Sequence, residues 1–209
     1  GSEIEGHDLV AIHRLRRDHD LRFRILPMSN DPCPTFIELT GGQRIHFEEY
    51  LVRDGAPTDV VAVDLSAAEA ATPAPGVLEA IAAADTILVC PSNPIVSIGP
   101  ILAVPKIREA LANASAPIVG VSPIVSGAPI KGPAHTLMRA LEVEVSALGV
   151  AQFYCDWMAG FVFDERDADL AGKISALGLE TTVTDTMMVD ASVSQSLAEV
   201  ALAVASKLR

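Results

Sequence analysis

Three runs of this chain are apolar without interruption: Thr86-Ile87-Leu88-Val89-Cys90, Pro117-Ile118-Val119-Gly120-Val121-Ser122 and Gly160-Phe161-Val162-Phe163. A strand wet on one face alternates apolar and polar residues. A short run with no alternation must be covered on both faces, as in a parallel sheet packed between helices. The intervening segments carry helical patterns, expected over Val77–Ala84, 106–113, Pro133–Leu141, Glu165–Leu177 and Ala191–Leu208. A further strand is expected over Thr181–Met187. Strands that alternate with helices form parallel βαβ units, so the fold class is α/β.

The chain before residue 75 reads differently. Residues 34–63 are β-prone, with Thr40-Gly41-Gly42-Gln43 between Thr35–Leu39 and Arg44–Val52, which is a hairpin signal. Ile45, Phe47 and Leu51 are expected to face inward, and Asp59–Leu65 to add a third strand. Residues 1–27 are rich in charge and are expected to form an exposed helix ending before Pro27. Half of the 209 residues are hydrophobic, which suffices for one α/β domain over residues 1–209.

The balance of 15 basic against 27 acidic residues gives a net charge of −12. That excludes bulk nucleic-acid binding, which needs clustered cations, but leaves room for one nucleotide. Three cysteines without CxxC spacing point to reduced thiols, and the N-terminal residues show no signal peptide, so a cytoplasmic protein is expected. No apolar run reaches the roughly 20 residues of a membrane span.

Ligands of open parallel sheets sit at the carboxyl ends of the strands. Two such ends carry unusual sequence. The first is Cys90-Pro91-Ser92-Asn93-Pro94-Ile95-Val96-Ser97-Ile98-Gly99-Pro100. There Ser97 is expected to cap a helix, leaving the backbone N–H groups of Ile98 and Gly99 free for an anion. The second is Ser122-Pro123-Ile124-Val125-Ser126-Gly127 and on to Lys131-Gly132-Pro133, where Lys131 is the one cation in residues 114–138. Each loop also reads as an ordinary strand-to-helix turn, since Pro, Ser and Asn are turn residues. Both would open into the same crevice.

No other chemistry stands out. The histidines show no metal spacing, and there is no GxSxG, GxxxxGK[ST] or GxGxxG motif. Asp54, Asp85 and Asp185 are isolated carboxylates. No metal ligand and no catalytic residue is assigned from the residues.

At the two loops the sequence resembles the 2-phospho-L-lactate transferases, the CofD/FbiA-type enzymes of coenzyme F420 biosynthesis. The resemblance rests on Pro91-Ser92-Asn93-Pro94-Ile95-Val96-Ser97-Ile98-Gly99-Pro100-Ile101-Leu102. It continues through Val104–Arg108, Ser122–Gly127, Lys131–Ala134 and Thr184–Met188, with Ile45–Arg53 resembling the family's preceding hairpin. It implies a Rossmann-like parallel sheet flanked by helices. It implies a phospholactyl or phosphoenolpyruvyl group moved from a guanosine diphosphate-linked donor to the deazaflavin alcohol Fo, with release of GMP and assistance from Mg²⁺. Ser92, Asn93, Pro94, Ser97, Ile98, Gly99, Ser122, Pro123 and Lys131 are then the expected nucleotide-binding residues. The family's opening strand and GGxGG loop have no counterpart in this sequence, so the match is to its C-terminal two-thirds. An alternative expectation is therefore a guanine-nucleotide-binding module without turnover. An uncovered sheet edge would also favour a homodimer.

Overall fold

The computed structural model describes residues 23–209. The expected helix over residues 1–27 lies almost wholly outside the described residues.

Four parallel strands form the central sheet: β4 (Ile87–Val89), β5 (Ile118–Val121), β8 (Gly160–Asp164) and β9 (Glu180–Thr184), in the order β4-β5-β8-β9. The order follows the sequence. Crossovers share one preferred hand, so their helices fall on the same face. Ile107, Leu137, Val150 and Ile174, from the crossover helices, accordingly bury with Ile118, Phe161 and Phe163 in one core. Val119, Val121 and Val162 point the other way. They are covered by the closing helix Ala191–Lys207 through Leu197, Ala201, Val204 and Ala205. Coverage on both faces is the reason β5 and β8 carry no polar alternation, whereas the apolar edge strand β4 leaves Leu88 exposed, against the expectation of cover on both faces. Gly160 permits close approach there, because a Cβ on it would lie 2.8 Å from Val204 Cγ1.

The hairpin is also present. β1 (Phe36–Leu39) pairs antiparallel with β2 (Arg44–His46) across a turn in which Gly42 has φ +77°. β3 (Val60–Asp64) pairs with the other side of β1. Ile37, Leu39 and Val60 join the main core. The second run ends earlier than expected, at His46, and gives way to a π-helical turn over Glu49–Arg53. Phe47, Tyr50 and Leu51 are spaced i, i+3, i+4, which is a helical stripe rather than a strand's alternation.

Two other expected elements are shorter or broken, and carboxylates cause both changes. β9 stops at Thr184 because the next backbone donors are taken by side chains. The Thr186 N–H donates to Asp164 Oδ2 (3.0 Å) and the Met187 N–H to Asp185 Oδ1 (3.0 Å). The expected helix Glu165–Leu177 divides into a 3₁₀ segment, Glu165–Leu170, and an α-helix, Ala171–Ser175. Asp167 at the break has φ −111°, and its Oδ2 accepts the Ser126 N–H at 2.9 Å.

Candidate functional site

Residues that follow three of the parallel strands surround a cleft of about 460 Å³. Pro91, Ser92, Asn93, Val96 and Ser97 come from the segment after β4. Pro123 and the Pro129–Ala134 segment follow β5, and Met188 follows β9. Phe47, just before the π-helical turn, and Leu51, on it, close the remaining side.

Asn93 organises the first loop. Its Oδ1 accepts the backbone N–H groups of Ile95 (2.9 Å) and Val96 (3.3 Å), capping a π-helical turn, Pro94–Ile98, that runs into the α-helix Gly99–Ala103. Pro94 at the first position loses nothing, since its missing N–H would have no helical partner. The cap is therefore Asn93 and not Ser97, which stands exposed one turn inside the helix. The Ser97 and Ile98 N–H groups both donate to the Asn93 carbonyl at 3.1 Å, so Ile98 offers no free donor. Pro94 and Gly99 are buried away from the cleft, where Gly99 lines a small cavity with Leu65 and Leu102.

The second loop is built around Ser122. Its buried hydroxyl donates to the Ile124 carbonyl (2.9 Å) and accepts the Ile124 N–H (3.1 Å), so it shapes the turn from within. β6 (Ile124–Val125) and β7 (Ala128–Pro129) form a two-residue hairpin with Ser126 at φ +51° and Gly127 at φ +73°. Both central residues with positive φ make a turn that matches the strand twist. Asp167 ties the hairpin tip down. The hairpin delivers Lys131, exposed, to the rim of the cleft.

Of the residues expected from the sequence, the structure gathers Ser92, Asn93, Ser97, Pro123 and Lys131 around one cleft. Pro94, Ile98, Gly99 and Ser122 support those loops from behind. Sequence reasoning did not assign Phe47, Leu51, Val96, Ile130 or Met188 to the site; Met188 is signalled by its place just past a parallel strand. It also passed over Asp164, whose signal is a lone carboxylate ending an apolar strand. Asp164 is fully buried and accepts bonds from the backbone and side chain of both Arg166 and Thr186. Burial alone pushes its carboxyl up, but these four hydrogen bonds outweigh it and hold the carboxyl below the ordinary range. It fixes the Thr186–Met188 segment that walls the cleft.

The lining is largely apolar, with serine, asparagine and lysine at one side and no carboxylate or histidine among the described residues. Such a lining has the chemistry to pack against an apolar body and to offset the charge of an anionic group beside it. It offers no general acid–base pair. Asp54 pairs with Arg53, Asp85 accepts from Arg209 through its carbonyl, and Asp185 stands near Arg166, so the three lie apart. Among the described residues no three His, Cys, Asp or Glu side chains group to hold a metal ion. No carboxylate of the described residues lines the cleft, so those lining residues supply no protein ligand for Mg²⁺ there. Nor, among them, is any helix long and apolar enough to cross a membrane.

Fold and cleft together define an α/β protein with a candidate ligand cleft outside the carboxyl ends of a parallel sheet. Two crystal structures of a Bacillus halodurans protein share this fold at TM-scores of 0.61 and 0.63, covering 91% of this chain and 65% and 64% of theirs. At 21% and 20% identity they speak for the fold alone, and one is described as a member of the UPF0052 family. The chain belongs to the 2-phospho-L-lactate transferase CofD family, whose model matches residues 2–202. A phosphoenolpyruvate transferase from Kitasatospora aureofaciens is 45% identical over 190 residues, 89% of this chain and 59% of its own length. A 2-phospho-L-lactate transferase from Methanosarcina mazei is 42% identical over 180 residues, 86% of this chain and 58% of its own. The chain thus spans about three-fifths of the length of the curated relatives it matches.

Proposed function

We propose that this chain carries the donor-binding half of a transferase of coenzyme F420 biosynthesis. The enzyme moves a phospholactyl or phosphoenolpyruvyl group from a guanosine diphosphate-linked donor to the hydroxyl of Fo. The single observation that supports this most is the convergence of Ser92, Asn93, Ser97 and Lys131 on one apolar-walled cleft at the strand ends. The Fo oxygen attacks the β-phosphorus, the bond from that phosphorus to the bridging oxygen breaks, GMP leaves with that oxygen, and the hydroxyl proton passes to solvent. Phosphoryl transfer of this kind needs positioning and charge neutralisation more than covalent help from the protein. The composition of the cleft suits that need. The Asn93 amide NH₂ and the Ser92 and Ser97 hydroxyls are placed to donate to phosphate oxygens, and Lys131 to offset their charge. Phe47 and Leu51 present the apolar wall for a ring.

That no carboxylate lines the cleft among the described residues supports a second reading, a guanine-nucleotide-binding module without turnover. Two measurements separate the readings. Calorimetry with GDP and ADP is expected to show tighter binding of GDP. Mass spectrometry of Fo incubated with donor is expected to show the phospho-acyl product. GDP binding without product supports the module; no binding of either nucleotide by the folded chain refutes both.

A further inference from the structure

Behind the Pro129–Gly132 segment lies a second cavity, of about 470 Å³, bounded by the β6–β7 hairpin and the helix Ala134–Ala140. Its charged and polar lining is entirely cationic or imidazole: Lys131, His135 and Arg139. His135 and Arg139 are four residues apart on that helix, so they share its face. No carboxylate lines the cavity among the described residues, and none lines the smaller one beside it, where His135 and Arg139 meet Thr58 and Thr136. Lys131 and Arg139 make no ion pair among the described residues, which is equally true of Lys106, Lys173 and Lys207; what distinguishes these two is that they flank one cavity together with His135. In a chain of net charge −12, two cations beside one cavity without counter-charges mark a place for an anion from outside. Lys131 belongs to both cavities, so the second site adjoins the candidate phosphate site directly.

The relatives are named for two different groups, phosphoenolpyruvate and 2-phospho-L-lactate. These differ in saturation and share a carboxylate next to the phosphate-bearing carbon. We infer that the Lys131–His135–Arg139 cavity receives the carboxylate of the transferred three-carbon acid, with Arg139 as its principal partner. This rests on the reading of the larger cleft as a donor site. A guanidinium matches a carboxylate through two parallel N–H donors, and a lysine one wall away neutralises the adjoining phosphate. Such a cavity reads the acid end and leaves saturation unread, which fits one fold serving both named groups.

The test uses the whole chain and its Arg139→Gln variant, titrated by calorimetry with phosphoenolpyruvate, inorganic phosphate and GDP. Arg139 is exposed, so the variant is expected to melt with the parent. The expected result is a loss of about tenfold in phosphoenolpyruvate affinity, the scale of one charge-assisted hydrogen bond, with GDP affinity changed by less than about twofold. Inorganic phosphate is expected to bind more weakly than phosphoenolpyruvate and to respond little to the substitution. Unchanged phosphoenolpyruvate affinity in Arg139→Gln overturns the inference, as does absence of phosphoenolpyruvate binding by the parent. Equal loss for phosphate and phosphoenolpyruvate overturns the carboxylate assignment. If GDP fails to bind while phosphoenolpyruvate binds and is lost in Arg139→Gln, the carboxylate site stands and the donor reading of the larger cleft falls.

Discussion

Asn93 holds two roles that substitution separates. Its Oδ1 caps the turn through the Ile95 and Val96 N–H groups at 2.9 and 3.3 Å, while its amide NH₂ has no partner among the described residues and is available to a ligand. Asn93→Ala removes both. Loss of a side-chain cap costs about 1 kcal/mol, with a range of roughly 0.5–2 kcal/mol. The upper part of that range applies, because Ile95 is buried and its freed N–H has little water to turn to. Asn93→Asp keeps the oxygen acceptor, and aspartate caps as well as asparagine does. It also removes the NH₂ donors and sets a negative charge where phosphates are proposed to lie. Asn93→Ala is therefore expected to lower unfolding free energy in urea by about 1–2 kcal/mol and to weaken GDP binding. Asn93→Asp is expected to unfold within about 0.5 kcal/mol of the parent while losing GDP affinity by tenfold or more, the loss easing as salt is added. Ser97→Ala is expected to leave stability unchanged, since Ser97 caps nothing. The reasoning is refuted if Ser97→Ala destabilises as much as Asn93→Ala, or if Asn93→Asp binds GDP like the parent.

Asp164→Ala leaves the buried N–H and hydroxyl of Thr186 without acceptors and is expected to cost roughly 2–6 kcal/mol in urea unfolding, about 1–3 kcal/mol for each donor. Because the folded carboxyl lies below its unfolded value of about 4, its stabilisation is complete above that pH and is lost as pH falls through the folded value. The parent should therefore lose stability below about pH 4 by a margin that the Asp164→Ala variant lacks, and parallel acid limbs would refute the assignment. Gly160→Ala sets a Cβ 2.8 Å from Val204 Cγ1 and 3.1 Å from Val119 Cγ2, forcing the closing helix from the sheet. A loss of about 1–3 kcal/mol in thermal or urea unfolding is expected. Ser122→Ala orphans the Ile124 N–H inside the second loop and should cost about 1–3 kcal/mol while leaving the direct ligand contacts in place, as calorimetry with GDP will show.

The sequence by itself determined the sheet. Continuous apolar runs have one inexpensive fate, burial on both faces, and Val119 and Val162 on one side with Ile118 and Phe161 on the other meet that requirement. It also determined which loops follow those strands, and the motif through Pro91–Leu102 carried the family. What it left open were the partners of polar groups. Whether Asn93 or Ser97 caps a turn depends on where a helix begins, and several prolines and serines compete for that boundary within a few residues. That β9 ends at Thr184 depends on a carboxylate 22 positions away in the sequence, Asp164, reaching the Thr186 N–H. The gathering of Phe47, Lys131 and Met188 around one cleft depends on how the hairpin, the β6–β7 turn and the last strand pack together. Burial follows from local pattern because water is everywhere outside the fold. A hydrogen bond or a cleft needs a particular second group at about 3 Å, and only the folded chain brings residues so far apart in sequence to that distance.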